Sequence, residues 1–356
     1  MAHGRVTMAD VAKLAEVSTT AVSLVLNNRQ GTRLSEDAAA RVRAAAEQLG
    51  YRPNLTARTL STQKSHVLGF ISDQVTTDRL ASGLIRGALQ EAKRHGHVLF
   101  IAETESGPGA VDEAVDALTD RQVDGIIYAA TRPHNLPVPA RVGATPVVML
   151  NAVSDDVPTA VLPDESEGAR SIVDLLLNAG HTENVVIIGR SLDQPADEWL
   201  TVTVQRRLDG IWSALDSHGV HPIAQVPCEP WSVRNGYQAV HDLLRAGIVP
   251  KALICLNDRL AFGAYRALQE AHLRPGRDIA IVSFDDDEIA VYLDPMLTTV
   301  AAPSEEMGAL AVRLLLDDSR LPGEHLVHMP LRVRGSVPLP RDIEIEDPAV
   351  EPNWTR

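Results

Sequence analysis

Cysteine is nearly absent. The chain has two in 356 residues, Cys228 and Cys255, far apart and without ligand-spaced neighbours. That excludes a disulfide framework and a cysteine zinc site, and fits a reduced compartment. No apolar run approaches the roughly 18 residues needed to span a bilayer. The opening MAHGRVTMADVAKLAEVS lacks the apolar core and small-residue cleavage site of a secretory leader. A soluble, cytoplasmic protein without membrane contact is expected. There is no HExxH, no nucleophile elbow and no P-loop, and Gly107-Pro108-Gly109 lacks the strand-loop-helix glycine fingerprint. His325 and His328 lack further ligands. No catalytic residue, metal or cofactor is therefore expected, and the chain does not read as an enzyme.

Positive charge is also short overall, with a formal net charge of -14, but it is unevenly placed. Residues 1–66 hold nine Lys/Arg against five Asp/Glu, a net of +4, so the remainder carries -18. A small basic module ahead of a large acidic body is the pattern expected when only the first part meets a polyanion. The length allows two or three domains.

Thr7-Met8-Ala9-Asp10 reads as a helix start with a capping box, followed by the apolar positions Val11, Ala12, Leu14 and Ala15. Ser18 is a second N-cap, with Val17 placed to staple onto Val22. The helix that follows, within the uncharged stretch VSTTAVSLVLNN, has two faces. Ala21, Val22, Val25 and Leu26 fall on one side, and Thr19, Thr20, Ser23, Leu24 and Asn27 on the other. A third helix starts at Ser35, turns Val42, Ala45, Ala46 and Leu49 inward, and stops at Gly50. Short helices joined by the tight Glu16-Val17-Ser18 connection make a helix-turn-helix unit. After Pro53, Asn54 can cap a helix of about six residues, Leu55 to Leu60, too short to be ordered without a partner.

From Val67, short apolar runs alternate with amphipathic stretches: VLGFI, LIRGALQEAKRHG, VLFIA, VDEAVDALTDRQ and DGIIYAA. A second set follows, with AVL, GARSIVDLLLNAG, VVIIG, QRRLDGIWSALDSHG, KALICL and IAIVSF. This rhythm predicts two α/β lobes with parallel, doubly wound sheets. Ligands of such sheets bind beyond the carboxyl ends of the strands. Asp73, Asn257, Asp258 and Asp285 stand there. The acidic run Asp285-Asp286-Asp287-Glu288 points its carboxylates in different directions on a turn and is expected to be a solvated loop.

These residues resemble the LacI/GalR family of transcriptional regulators along nearly the whole chain. The carriers are VTMADVAKLAEVSTTAVSLVLNN and LGYRPNLTARTLSTQKS, then Gly180-His181, RRLDGIWSAL, LNDRLAFGAYRAL, DIAIVSFDDDEIAVYLDPMLTTV and Arg334 to Ser336. The resemblance implies that Thr19, Thr20 and Leu24 read bases in the major groove of an operator. Thr7, Ser18, Ser23 and Asn27 match positions that hold phosphates or open the helix. LTARTL matches the hinge helix, with Leu60 as a minor-groove wedge, Ala57 at the helix-helix approach and Arg58 on the backbone or groove edge. Two departures stand out. Leu24 replaces a residue that is often polar, so it can meet a thymine methyl but cannot read guanine bidentately. Glu16 replaces a turn glycine, at a cost if its φ is positive.

By the same resemblance, Arg207, Asn257 and Asp285 match polar effector-binding positions, and Trp231 matches an aromatic packed against the ligand. That mix suits a polyol, although nucleobase effectors use similar places. Asp73 and Glu167 are weaker candidates, Glu167 also reading as a helix-start carboxylate. The implied partners are a pseudopalindromic double-stranded DNA operator, a small-molecule effector, most simply a sugar, and a second copy of the chain. Inducer and co-repressor both fit. The end SVPLPRDIEIEDPAVEPNWTR has no leucine heptads, so a dimer is expected rather than a tetramer. The expected boundaries are 1–52 for the helix-turn-helix domain, 53–65 for hinge and linker, 66–338 for a periplasmic-binding-protein-like two-lobed domain, and 339–356 for a tail. A sugar-binding protein or enzyme on the same scaffold is the second reading. The helix-turn-helix and the missing export signal argue against it.

Overall fold

The computed structural model describes residues 6–26, 34–51, 64–73, 79–104, 109–130, 136–191, 201–317 and 321–338, with residues 79 and 80 by backbone alone. Of the residues singled out above, Asn27, Ala57, Arg58 and Leu60 lie outside the described residues, as does the tail. The chain divides into two compact units, Met1–His66 and Val67–Arg356.

The first unit is built from α1 (Met8–Ala15), α2 (Thr19–Leu26) and α3 (Glu36–Gln48). Local chemistry sets each boundary. Asp10 N–H donates to Thr7 Oγ1 at 3.4 Å while the Thr7 N–H donates to Asp10 Oδ2 at 2.8 Å, closing a capping box on α1. Glu16 ends α1 in the left-handed region at φ 54, donating its N–H to the Ala12 carbonyl. A glycine would hold that turn without the side-chain penalty of about 1–2 kcal/mol. Ser18 Oγ accepts from Ala21 N–H at 3.1 Å and opens α2; Ser35 does the same for α3 through Ala38 N–H at 3.2 Å. Gly50, at φ +61, stops α3, with Tyr51 N–H returning to the Ala46 carbonyl. Val11, Ala12, Ala15, Val22, Val42, Ala45 and Ala46 form the core, with Val25, Leu26 and Leu49 packed against it.

The second unit holds two parallel sheets. The first contains β1 (Val67–Asp73), β2 (Val98–Thr104), β3 (Gly125–Ala129), β4 (Val147–Leu150), β5 (Thr159–Pro163) and β11 (Gly323–Val327), in the order β11-β5-β4-β3-β1-β2. The second contains β6 (Val185–Gly189), β7 (Ala224–Pro227), β8 (Ala252–Cys255), β9 (Ala280–Asp285), β10 (Thr298–Ala301) and β12 (Leu331–Arg332), ordered β12-β10-β9-β8-β6-β7. Among the described strands, only β12 runs antiparallel to its neighbour. The helices α4 (Arg79–Arg94) and α5 (Ala110–Thr119) connect the early strands of the first sheet. Then α6 (Glu165–Asn178), α7 (Val202–Ser217), α8 (Val233–Arg245) and α9 (Asp258–Glu270) accompany the second, and α10 (Ser304–Leu316) follows β10.

The run Ala160-Val161-Leu162, assigned by the sequence rhythm to the second lobe, lies in β5 of the first sheet. The chain leaves that sheet only after Pro163, when α6 enters the second lobe's core through Ala169, Ile172, Val173 and Leu176. It returns after β10, since Met307, Ala311 and Val312 of α10 pack in the first lobe. It crosses again between β11 and β12. A strand buried on both faces, as β5 is, carries no mark of which sheet it joins.

Glycines set the closest helix approaches. A methyl on Gly308 of α10 would overlap the Leu84 carbonyl of α4, and one on Gly263 of α9 would overlap the Val233 carbonyl of α8. Backbone cannot rotate aside as a side chain can. Gly263→Ala is expected to destabilise the protein by about 1–3 kcal/mol, lowering the melting temperature in a thermal unfolding scan.

Candidate functional site

In each sheet the strand order reverses once, at β1/β3 in the first and β6/β8 in the second. The crevice of a doubly wound sheet opens beyond the carboxyl ends at that point. In the first lobe Asp73 ends β1, and Asn151, at φ 52, follows β4. The Asn151 amide donates to the Ala130 carbonyl at 2.9 Å, just past β3. Burial, with the Asp73 charge second, raises the Tyr128 phenol above its ordinary value.

At the β6/β8 reversal of the second lobe, Trp231 spans the two strand ends. Its indole N–H donates to the Gly189 carbonyl at 3.2 Å, and its own carbonyl accepts from Asn257 Nδ2 at 3.4 Å. Asn257 Oδ1 meanwhile accepts from Leu260 N–H at 2.9 Å and caps α9. One amide thus starts a helix and fixes the tryptophan. Trp231 is also partly buried and packs against the second lobe's core. Beside it, Arg190, just past β6, lies 3.3 Å from Glu229.

Arg207, on α7, is buried at the same end of the sheet. Its Nε and Nη2 donate to Glu165 at 2.7 and 2.7 Å, Nη1 to the Leu256 carbonyl at 2.6 Å, and Nη2 again to Asp285 at 3.3 Å. The guanidinium lies 4.6 Å from the Phe284 ring centre. Burial disfavours the cation, but Glu165 and Asp285 outweigh it and hold Arg207 above its ordinary pKa. Sequence reading picked Arg207 and passed over Glu165. It weighed Glu167 instead, which is half-exposed and 3.3 Å from His328. The missed signal is position: Glu165 is the first residue of α6, immediately after the Asp164 cap.

Asp285 ends β9 at φ 102, and Asp286 follows at φ 52. Such conformations cost non-glycine residues about 1–3 kcal/mol each and persist where surrounding structure enforces them. Asp286 and Asp287 are largely buried and bonded rather than solvated, which corrects the sequence expectation for the middle of this run, while Glu288 is exposed. Asp286 Oδ1 accepts from Arg334 at 2.7 Å, and Asp287 caps the turn at Ile289. Arg334 also donates to the Leu297 carbonyl, and Ser336 ties Thr298 N–H to the Ile281 carbonyl, so the Arg-Gly-Ser segment clasps this corner.

Asp258 is buried beneath that corner. It accepts from Thr299 Oγ1 at 2.8 Å and Asp287 N–H at 2.6 Å. Burial, followed by the Asp285 charge, nonetheless pushes it up to about 8. Between 3.8 and about 8 the folded chain therefore keeps a proton that the unfolded chain has released. Stability from this site is full below that window and falls as pH rises through it. The melting temperature of the protein relative to Asp258→Asn should decline from about pH 5 to about pH 8; a constant difference would mean that Asp258 is ionised throughout.

In the first unit, Ser18, Thr19 and Thr20 are exposed along the start of α2, and Ser23 and Leu24 are half-buried. Leu24 stands apart from the core cluster that takes Val25 and Leu26. Thr7 is exposed, but its hydroxyl is engaged by Asp10 in the cap at 2.7 Å.

Residues 7–54 match the family described as bacterial regulatory proteins, lacI family, and residues 173–337 match a periplasmic binding protein-like domain. The ribose operon repressor of Escherichia coli (strain K12) is 31% identical over 314 residues, covering 87% of this chain and 92% of that protein. The lactose operon repressor of the same strain is 32% identical over 323 residues, covering 88% and 85%. Among solved structures, a lac repressor dimer bound to operator and the anti-inducer ONPF superposes with a TM-score of 0.76. It shares 28% identity and covers 94% of this chain and all of that one, 100%.

Proposed function

The chain belongs to the lacI family of bacterial regulatory proteins, and from that membership we propose a cytoplasmic, homodimeric repressor of a pseudopalindromic operator, controlled by a sugar. It is a ligand-responsive, DNA-binding transcriptional regulator. The observation that carries the finer reading is the convergence of Trp231, Asn257 and Asp285 on the strand ends of one lobe. An aromatic face covers C–H surface while an amide and a carboxylate take hydroxyls, which is the chemistry of a polyol. Relatives named for ribose and lactose operons support the same class.

In this reading Thr19, Thr20 and Leu24 meet base edges, Ser18 and Ser23 meet phosphates, and Leu60, Ala57 and Arg58 act in a hinge. Asp73 faces the effector from the first lobe, and the ligand leaves chemically unchanged. A second copy is supported by exposed apolar side chains on edge strand β2, where Val98, Phe100 and Ile101 stand open, and by exposed Tyr292 and Met296. The effector acts by shifting the population of lobe arrangements.

A gel shift on the DNA upstream of the coding region tests this directly. Specific retardation, steeply weakened by salt and altered by one sugar of a panel, is expected; no specific retardation with or without sugars would end the reading. Leu24→Arg should change which operator base pair is preferred, by about 1–3 kcal/mol per contact, as read by binding to a set of single-base operator variants.

A further inference from the structure

Arg207 is the residue that an anionic effector would seek, because its planar fork matches phosphate and carboxylate. That fork is already filled. Nε and Nη2 are committed to the two Glu165 oxygens, and Nη1 to the Leu256 carbonyl. With the Asp285 contact, four of the five guanidinium N–H groups are in use. Glu165 is held on the first turn of α6 with its side chain 5% exposed, so an incoming anion cannot push it into water. Around Arg207 one cation faces two carboxylates, Glu165 and Asp285, and the neighbouring Arg190 is matched by Glu229.

We infer that Glu165 sets the charge class of the effector. By occupying the Arg207 fork it selects an uncharged polyhydroxyl ligand and excludes phosphorylated or carboxylated ones. The inference rests on the effector site proposed above. Asp285 then becomes the reading group: its Oδ1 is steadied by Arg207, and its side chain is 42% exposed toward solvent and able to accept hydroxyls. Arg207 positions Asp285 through Nη2 and has a single N–H left to offer, too little for the bidentate grip an anion needs.

The test titrates the full chain and Glu165→Gln with sodium phosphate, at ionic strength held constant with chloride, and follows the melting temperature. The wild-type chain is expected to show no saturable rise. Glu165→Gln, with one arm of the fork released, is expected to gain a saturable rise of about 3 °C. A saturable rise in the wild type, or none in folded Glu165→Gln, overturns the inference. If the variant does not fold, the wild-type phosphate titration is joined by ribose and glucose, each against its own phosphate ester. An ester that stabilises as well as its parent sugar overturns the inference, and a sugar that stabilises while its ester does not supports it. Failure of every neutral sugar, with phosphate behaving as expected, counts against the sugar reading and leaves the exclusion of anions standing.

Discussion

The buried Arg207 guanidinium is the point on which the strand-end corner of the second lobe is assembled. It joins the first turn of α6, the end of β8 and the end of β9 through Glu165, the Leu256 carbonyl and Asp285. Removing one partner of such a pair strands the other charge in the protein, at about 3–5 kcal/mol. The same charge that is costly to bury fixes three backbone segments in one register. Asp285 keeps its left-handed φ of 102 in that setting, and the Arg-Gly-Ser clasp secures the following residues from the other side. A preorganised carboxylate at a strand end is the outcome, with its strain met by neighbours rather than by the ligand.

Much of the first unit was legible because its signals are local. Thr7, Ser18 and Ser35 cap helices by bonds spanning three residues, so sequence spacing alone reveals them. The two-faced character of α2 follows from the same spacing: Ala21 and Val22 are buried and Thr19 and Thr20 exposed. Glu16 has the positive φ that a missing turn glycine implies. In the second unit the alternating elements and the strand-end positions were legible, but their allocation to sheets was not. Strands such as β5 and β6 are buried on both faces, and nothing in their composition distinguishes the two sheets. Glu165 was missed for a related reason. Its partner is 42 residues away, and a carboxylate at a helix start has an ordinary local explanation. The acidic run was misread because the partners of Asp286, Arg332 and Arg334, lie on β12 and just beyond it.

The crossings between lobes leave each core whole while linking the two. Each lobe is completed by a segment that returns from the other: α10 and β11 in the first, α6 and β12 in the second. The lobes therefore cannot be independent folding units. Only short stretches between Pro163 and Glu165, Ala301 and Ser304, and Val327 and Leu331 join them. A rotation about these connections changes φ and ψ at a few element ends and leaves the packed interiors intact, the usual form of a hinge. Contacts that span the connections are exposed or partly exposed, such as Arg206 with Glu324 at 2.6 Å, and Coulomb energy there is small. In the mechanism proposed above, a ligand that touches both sets of strand ends would shift the lobe arrangement without breaking either core.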